Sequence, residues 1–392
     1  MGKELQPVTR SLEVLDALKE ASHVIQVNSC NYHGSVFASP AIKALLELET
    51  ESETMLSNDP NLSALSVHLS NLRSLLYRDK HKGLIKGFWL RRVTGYSISR
   101  VAGSIKKEIQ AWIDRESINN LLLALQEGAI TEEETLALLA RFEMRLSQGF
   151  DVDLQELVIK SRIHHSFEHA LCHPSRDSAP VQEKCALVIC SLIKFHKDVF
   201  AGEVALAPLI HSLVSMATFT SLNALSSLIR TVKSPFVDEI ESLGEISKLL
   251  SYLENKELDM KVSAFDCVLN IGYFGRKEAI EAMLREGIVE TLMNLQRTEP
   301  GGDLISLGIL SRSGSRRWRQ SENLENNAKL CMEYPFGSCV ARFWVQLEVG
   351  EGLRPSEKRA FKLDILQRIR DACICDAEVA TIVAEVLWGS SP

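Results

Sequence analysis

The sequence predicts an all-α protein, an N-terminal helical bundle followed by a short α-α superhelix, and three observations carry that prediction. The first is a short pattern that comes back three times within residues 181–297: Ala201-Gly202-Glu203-Val204, Leu243-Gly244-Glu245-Ile246 and Glu286-Gly287-Ile288-Val289. Its glycines stand 42 and 43 residues apart, and each copy is followed by an apolar run such as Leu209, Ile210 and Leu213. A period of that length is the signature of stacked helical repeats. The second is a small, apolar, helix-like unit ahead of each glycine, built around Cys185–Leu192, Leu222–Leu228 and Ala264–Ile271. The third is composition: only 6% of residues are aromatic, which suits repeats filled by Leu, Ile, Val and Ala.

Each repeat reads as a helix, a turn in which glycine supplies a left-handed backbone angle, and a second helix that packs back. The gap from Leu228 to Gly244 equals that from Ile271 to Gly287, 16 residues, whereas Leu192 to Gly202 is only 10, so the first copy is irregular. Such a unit cannot bury its apolar face alone, and copies therefore stack. The helices beginning near Val204, Ile246 and Val289 are expected to line the inner surface of the stack. Their outward polar residues His211, Lys248, Tyr252, Asn294 and Gln296 are the candidate contacts for a partner.

Before the repeats, Leu62, Leu65, Leu69, Leu72 and Leu76 share one helical face, as do Ile98, Val101, Ile105, Ile109, Trp112 and Ile113. Leu121–Leu125 and Leu136–Phe142 continue the second pattern, further helices are expected over 8–19 and Ala41–Leu48, and a loop over 49–60. Thr131 ahead of Glu132-Glu133-Glu134 is a capping start. Residues 1–150 thus form the bundle, 151–297 the repeats, 298–335 a polar insertion, and 336–392 the helices that close the stack.

Charge is unevenly placed. Nine Lys and Arg lie between Arg78 and Lys107 against Asp79 alone, a local +8 in a chain of net −7. Lys86, Trp89, Arg91 and Arg92 form a basic cluster around an aromatic anchor, suited to an anionic lipid surface or nucleic acid. A solvated helix face with Trp89 in the core is the plainer reading. No run reaches the roughly 18–20 apolar residues that cross a bilayer, and the N-terminus lacks a signal-peptide layout. The nine cysteines are scattered and mostly set in apolar helical patterns, as in a reducing compartment. A cytoplasmic or nuclear protein is expected.

Glu286-Gly287-Ile288-Val289-Glu290-Thr291-Leu292 resembles the start of the third helix of an armadillo repeat, and Val268-Leu269-Asn270-Ile271 the end of its second. The order of bundle and repeats is similar to that of plant U-box/armadillo proteins, whose N-terminal domain Ser104–Ile109 and Trp112–Glu116 resemble in style. No U-box is present, so ligase activity is not implied. The resemblance implies a superhelical groove that binds another protein. None of the five tryptophans has Asn four residues on, the pairing that importin-type grooves use.

One stretch has catalytic form. His165-Ser166-Phe167-Glu168-His169 matches H-x-x-E-H, in which two histidines on one helix face hold zinc and the glutamate acts as base. Pro174 ends that helix at once, and no distal carboxylate ligand is evident, so an ordinary helix between modules is expected. No phosphate-binding or nucleophile-elbow motif occurs. The expected function is a non-catalytic adaptor for a protein partner, with no cofactor, small-molecule substrate or specific nucleic acid. A lipid-docking protein, a ligase-associated subunit and a zinc hydrolase are the rival readings.

Overall fold

A computed structural model describes residues 19–20, 22–23, 63–80, 87–127, 131–172, 178–298 and 334–388; at 63–64, 76–80, 87–95, 98 and 127 only backbone is described. Apart from a few residues at their ends, the expected 8–19 helix, Ala41–Leu48, the 49–60 loop and the 298–335 insertion lie outside these residues. Among the described residues all regular structure is helical. The chain falls into two compact units, residues 1–124 with 151–163, and residues 125–150 with 164–392. No single described helix is long and apolar enough to cross a membrane.

The first unit contains α1 (Ser63–Lys80), most of α2 (Gly87–Glu127) and α4 (Val152–Ser161). Leu65, Leu69 and Leu72 of α1 are buried at the spacing expected, as are Ile105, Ile109 and Ile113 of α2. The segments around 98–113 and 121–125 prove to be one 41-residue helix. No glycine or proline interrupts residues 114–120, and Ile118 is buried, so the apolar side continues unbroken. Asp151 caps α4 by accepting from the Asp153 and Leu154 amides at 3.0 and 3.4 Å.

The second unit opens with α3 (Glu132–Ser147), started by the expected capping box: Thr131 Oγ1 accepts from the Glu134 amide and the Glu134 carboxylate from the Thr131 amide. It continues with α5 (Ile163–Cys172) and α6 (Ala179–Phe195). Three units of three helices then follow. The first is α7 (Lys197–Glu203), α8 (Leu206–Met216) and α9 (Phe219–Val232). The second is α10 (Ser234–Ser242), α11 (Glu245–Ser251, prolonged by a 3-10 turn, Tyr252–Glu254) and α12 (Leu258–Phe274). The third is α13 (Lys277–Arg285), α14 (Ile288–Gln296) and α15 (Cys339–Val349), and α16 (Pro355–Ala372) and α17 (Asp376–Trp388) complete the unit. Residues 299–333 thus fall between the second and third helices of the third unit, and α15 packs on α12 as α12 packs on α9.

Gly244 and Gly287 do what the pattern predicts. Both are left-handed, with φ of 71° and 77°, immediately before α11 and α14. Gly202 differs: it lies inside α7, and the turn into α8 is made by extended Val204, whose buried side chain fixes the chain there. The expected helix–turn–helix repeat also gains a member, since α10 and α13 fill the equal 16-residue gaps. Core residues are contributed by every helix of the stack, including Leu225 and Ile229 of α9, Val268 and Ile271 of α12, and Val289 and Leu292 of α14. Each such side chain is worth roughly 1.5–3 kcal/mol when fully buried.

One backbone angle is costly. Lys233, which joins α9 to α10 without a loop, has φ 70° and ψ −143°, a region that favours glycine. Its amide donates to the Ile229 carbonyl at 2.8 Å, and its carbonyl accepts from the Phe236 amide at 3.0 Å. The ammonium meets Glu351 at 3.0 Å, but both side chains are about half exposed, so the pair contributes little. Lys233→Gly is therefore expected to raise stability by about 1 kcal/mol. Lys233→Ala, which keeps the Cβ, should not, and chemical unfolding of both variants measures the difference.

Candidate partner-binding face

The long helices α3, α6, α9, α12 and α15 lie side by side in one row. Neighbours in this row pack far more extensively than α8 with α11 or α10 with α13. The glycine-led helices α8, α11 and α14 were the expected inner layer, and they form a second, more loosely packed row beside it. Small side chains let the long helices approach: Ala264, Cys267 and Gly272 of α12 are all buried, and a Cβ on Gly272 would stand 3.2 Å from the Phe343 ring of α15.

Polar groups staple the row from helix to helix. Lys184 of α6 donates to Glu143 of α3 at 2.5 Å, and Ser191 to the same carboxylate at 3.4 Å. Glu183 of α6 accepts from the Thr218 hydroxyl at 2.8 Å and from that of Thr220. Asn270 of α12 donates to the Ser226 hydroxyl of α9 at 3.0 Å, and the Cys267 thiol to the Leu222 carbonyl at 3.3 Å. Burial pushes the Cys190 and Cys339 thiols up to about 12, far above the range of a reactive thiolate. Cysteine is filler here, as its setting in the sequence implies.

Three charged side chains of the row stand apart from these staples. Arg230 of α9 is exposed, and Asp266 of α12 and Arg342 of α15 are half-buried. Burial pushes the Asp266 carboxyl up from its ordinary range, while the charges of Arg342 and then Arg230 pull it back down. Among the described residues that carboxylate has no hydrogen-bond or ion-pair partner. Arg342 is held elsewhere, its guanidinium 4.8 Å from the centre of the Phe265 ring and donating to the Pro335 carbonyl at 2.5 Å.

The candidates named from the sequence fall mostly on the other row, where they serve the stack itself. The His211 ring of α8 meets the buried Glu245 carboxylate of α11 at 2.8 Å, Lys248 donates to Ser215 at 2.9 Å, and the Tyr252 hydroxyl donates to the Val214 carbonyl at 2.6 Å. Asn294 is exposed and accepts from Arg297 at 2.8 Å. Gln296 is corrected: it is 0% exposed, donating to Glu385 of α17 at 3.1 Å, so it cannot be an outward contact. The closing helices cover what a lone α14 would leave open. Lys86 lies outside the described residues, and Trp89, Arg91 and Arg92 are placed on α2 by backbone only.

The H-x-x-E-H stretch lies on α5. His165 Nδ1 is 3.1 Å from Glu168, whose other oxygen accepts from the Ala205 amide at 2.8 Å, at the entry to α8. The glutamate thus ties α5 to the first repeat. Among the described residues no three His, Cys, Asp or Glu are grouped to hold a metal ion.

An all-α stack of three-helix units is thus the class of architecture present. No protein-family model matches the sequence, and no curated protein matches it. Among solved structures the chain is similar to an engineered protein at 14% identity and a TM-score of 0.45, covering 96% of this chain and 77% of that one. It is also similar to a designed armadillo repeat protein in complex with the peptide (KR)4, at 14% identity and a TM-score of 0.40, over 70% of this chain and 98% of that one. A second designed armadillo repeat protein shows 11% identity and a TM-score of 0.42, over 69% and 99% of the two chains.

Proposed function

We propose that the chain is a non-catalytic adaptor that holds a segment of another protein across its row of long helices. The observation that carries this reading is the contrast between the rows. Along α8 and α11 the named polar side chains are engaged with the neighbouring repeat, whereas Arg230 of α9 and Asp266 of α12 have no side-chain hydrogen bond or ion pair among the described residues. A segment crossing parallel helices meets side chains from each in turn, which suits an extended ligand. The armadillo resemblance of the repeat sequences points the same way. No cofactor enters this reading.

A photo-crosslinking side chain at Asn223 of α9 or Val345 of α15 is expected to yield a protein adduct in cells. The same group at the exposed Ser247 of α11 or Glu281 of α13 should not. Adducts formed only from the second pair would refute the assignment of this face.

A further inference from the structure

We infer that the outer side of α17 is a self-docking surface, on which a second copy of this chain packs helix against helix and antiparallel. The inference stands apart from the adaptor reading, which concerns the row of long helices. α17 is the last helix of the described stack, and the fold uses one side of it, burying Glu378, Ile382 and Val386. The polar groups toward that side are engaged as well: Glu378 accepts from Arg297, and Glu385 from Gln296 and Ser338.

The opposite side carries Asp376, Ala377, Ala380, Ala384, Leu387 and Trp388, all of them exposed, the tryptophan at 85%. The aspartate at its first position is the single charge on this side. The last helix of a stack ordinarily turns a polar face outward, because no further repeat covers it. The preceding α16 does so, with Arg359, Asp364, Gln367 and Arg370 exposed. Isolated apolar side chains on a surface are ordinary, but a continuous helix side that ends in an open indole marks an interaction site.

The order of side-chain sizes names the occupant. About a two-fold axis at residue 382 of an antiparallel pair, Leu387 of each copy meets Ala377 of the other, and Ala380 meets Ala384. Trp388 then meets Asp376, and its indole N–H can donate to that carboxylate. Large sits over small at both ends, and the alanines between let the helices approach closely. A parallel pair would instead crowd indole against indole, leave alanine facing alanine, and bring the two Asp376 carboxylates together. One patch thus serves both members, as a two-fold interface requires. With 13 residues α17 is about 20 Å long, too short to cover the roughly 800 Å² per partner of a standard stable interface. The dimer is therefore weak and forms with rising concentration.

Analytical ultracentrifugation of the full chain over about 5–200 μM tests this. The weight-average mass should climb from one chain toward two. Ala377→Lys and Leu387→Glu each put a charge on the exposed side, away from the core, and each alone should weaken self-association at least about tenfold. Mixed in equal amounts, the two variants should regain it, because the new lysine of one copy then faces the new glutamate of the other. Circular dichroism melts verify that both variants fold. A parent chain that stays single to the highest concentration overturns the inference. So does self-association that neither substitution weakens, or that the mixture fails to restore.

Discussion

Replacing Gly352 by alanine is expected to cost about 3 kcal/mol and to loosen the final three helices first, because the clash is with backbone and no side chain can swing clear. A Cβ at Gly352 would lie 2.6 Å from both the Gly275 carbonyl carbon and the Phe274 carbonyl oxygen, and against the Gly275 oxygen as well. Gly350 is as tight, 2.5 Å from the Gln346 oxygen and against the Tyr273 oxygen. Here the ends of α12 and α15 approach through bare backbone, with the Glu351 and Gly352 amides donating to the Tyr273 carbonyl at 2.8 and 3.2 Å. In a stack each helix depends on its neighbours, so the loss should stay local. Hydrogen exchange should show reduced protection in α15–α17 with α9 unchanged; equal loss throughout would contradict it. The neighbouring Gly337 provides a comparison, with a milder 3.3 Å approach to one carbonyl oxygen.

The second large effect is expected at Arg297. Its guanidinium grips Glu378 of α17 with two bonds, 2.7 and 3.1 Å, and reaches the Ala372 carbonyl at 2.9 Å. Glu378 in turn accepts from the Ile374 amide at 2.8 Å, and its side chain is only 7% exposed against 24% for the arginine. Removing the arginine leaves a buried carboxylate without its main partner, at a cost of about 3–5 kcal/mol. Arg297→Lys should recover only part, since an ammonium cannot reproduce the two parallel bonds.

Acid should reproduce the loss. The Arg297 bonds hold the Glu378 carboxyl below its ordinary value of 4.5, so its contribution is present above that value and fades as pH falls through the lowered one. Glu385, which accepts from Gln296 and from Ser338 at 2.9 Å, has the opposite sign. Burial pushes its carboxyl up, so its protonated form favours the fold, and that contribution fades as pH rises through the raised value. Urea melts across pH 3–7 should thus show Glu378→Ala flattening the steep fall on the acid side, and Glu385→Gln costing nothing or gaining stability at neutral pH.

Much of the local structure was legible from residue spacing. Leu65, Leu69 and Leu72, and later Val268 and Ile271, bury the faces their periodicity predicts, and Thr131 with Glu134 caps a helix as its residue types require. The equal gaps before Gly244 and Gly287 each hold a short helix, and signals for them were present: Pro235 suits a first turn, and Ala279, Ile280, Met283 and Leu284 share a helical face. The proposed binding face was less legible. Asp266 stands between buried Phe265 and Cys267, and nothing in the three letters says that its carboxylate is left without a bonding partner. Gln296 reads as an exposed polar residue until α17 is laid over it.

The amino-acid order alone determined that the chain is helical, that its repeats recur every 42 or 43 residues, and that Gly244 and Gly287 turn the backbone, though not that Gly202, read the same way, lies inside a helix. Only the tertiary structure decided which helices pack side by side into one row and which polar side chains are left with bonds to offer. The reason is physical. Periodicity measures a helix against its own axis, whereas enclosure of a side chain depends on neighbours that approach from distant parts of the chain.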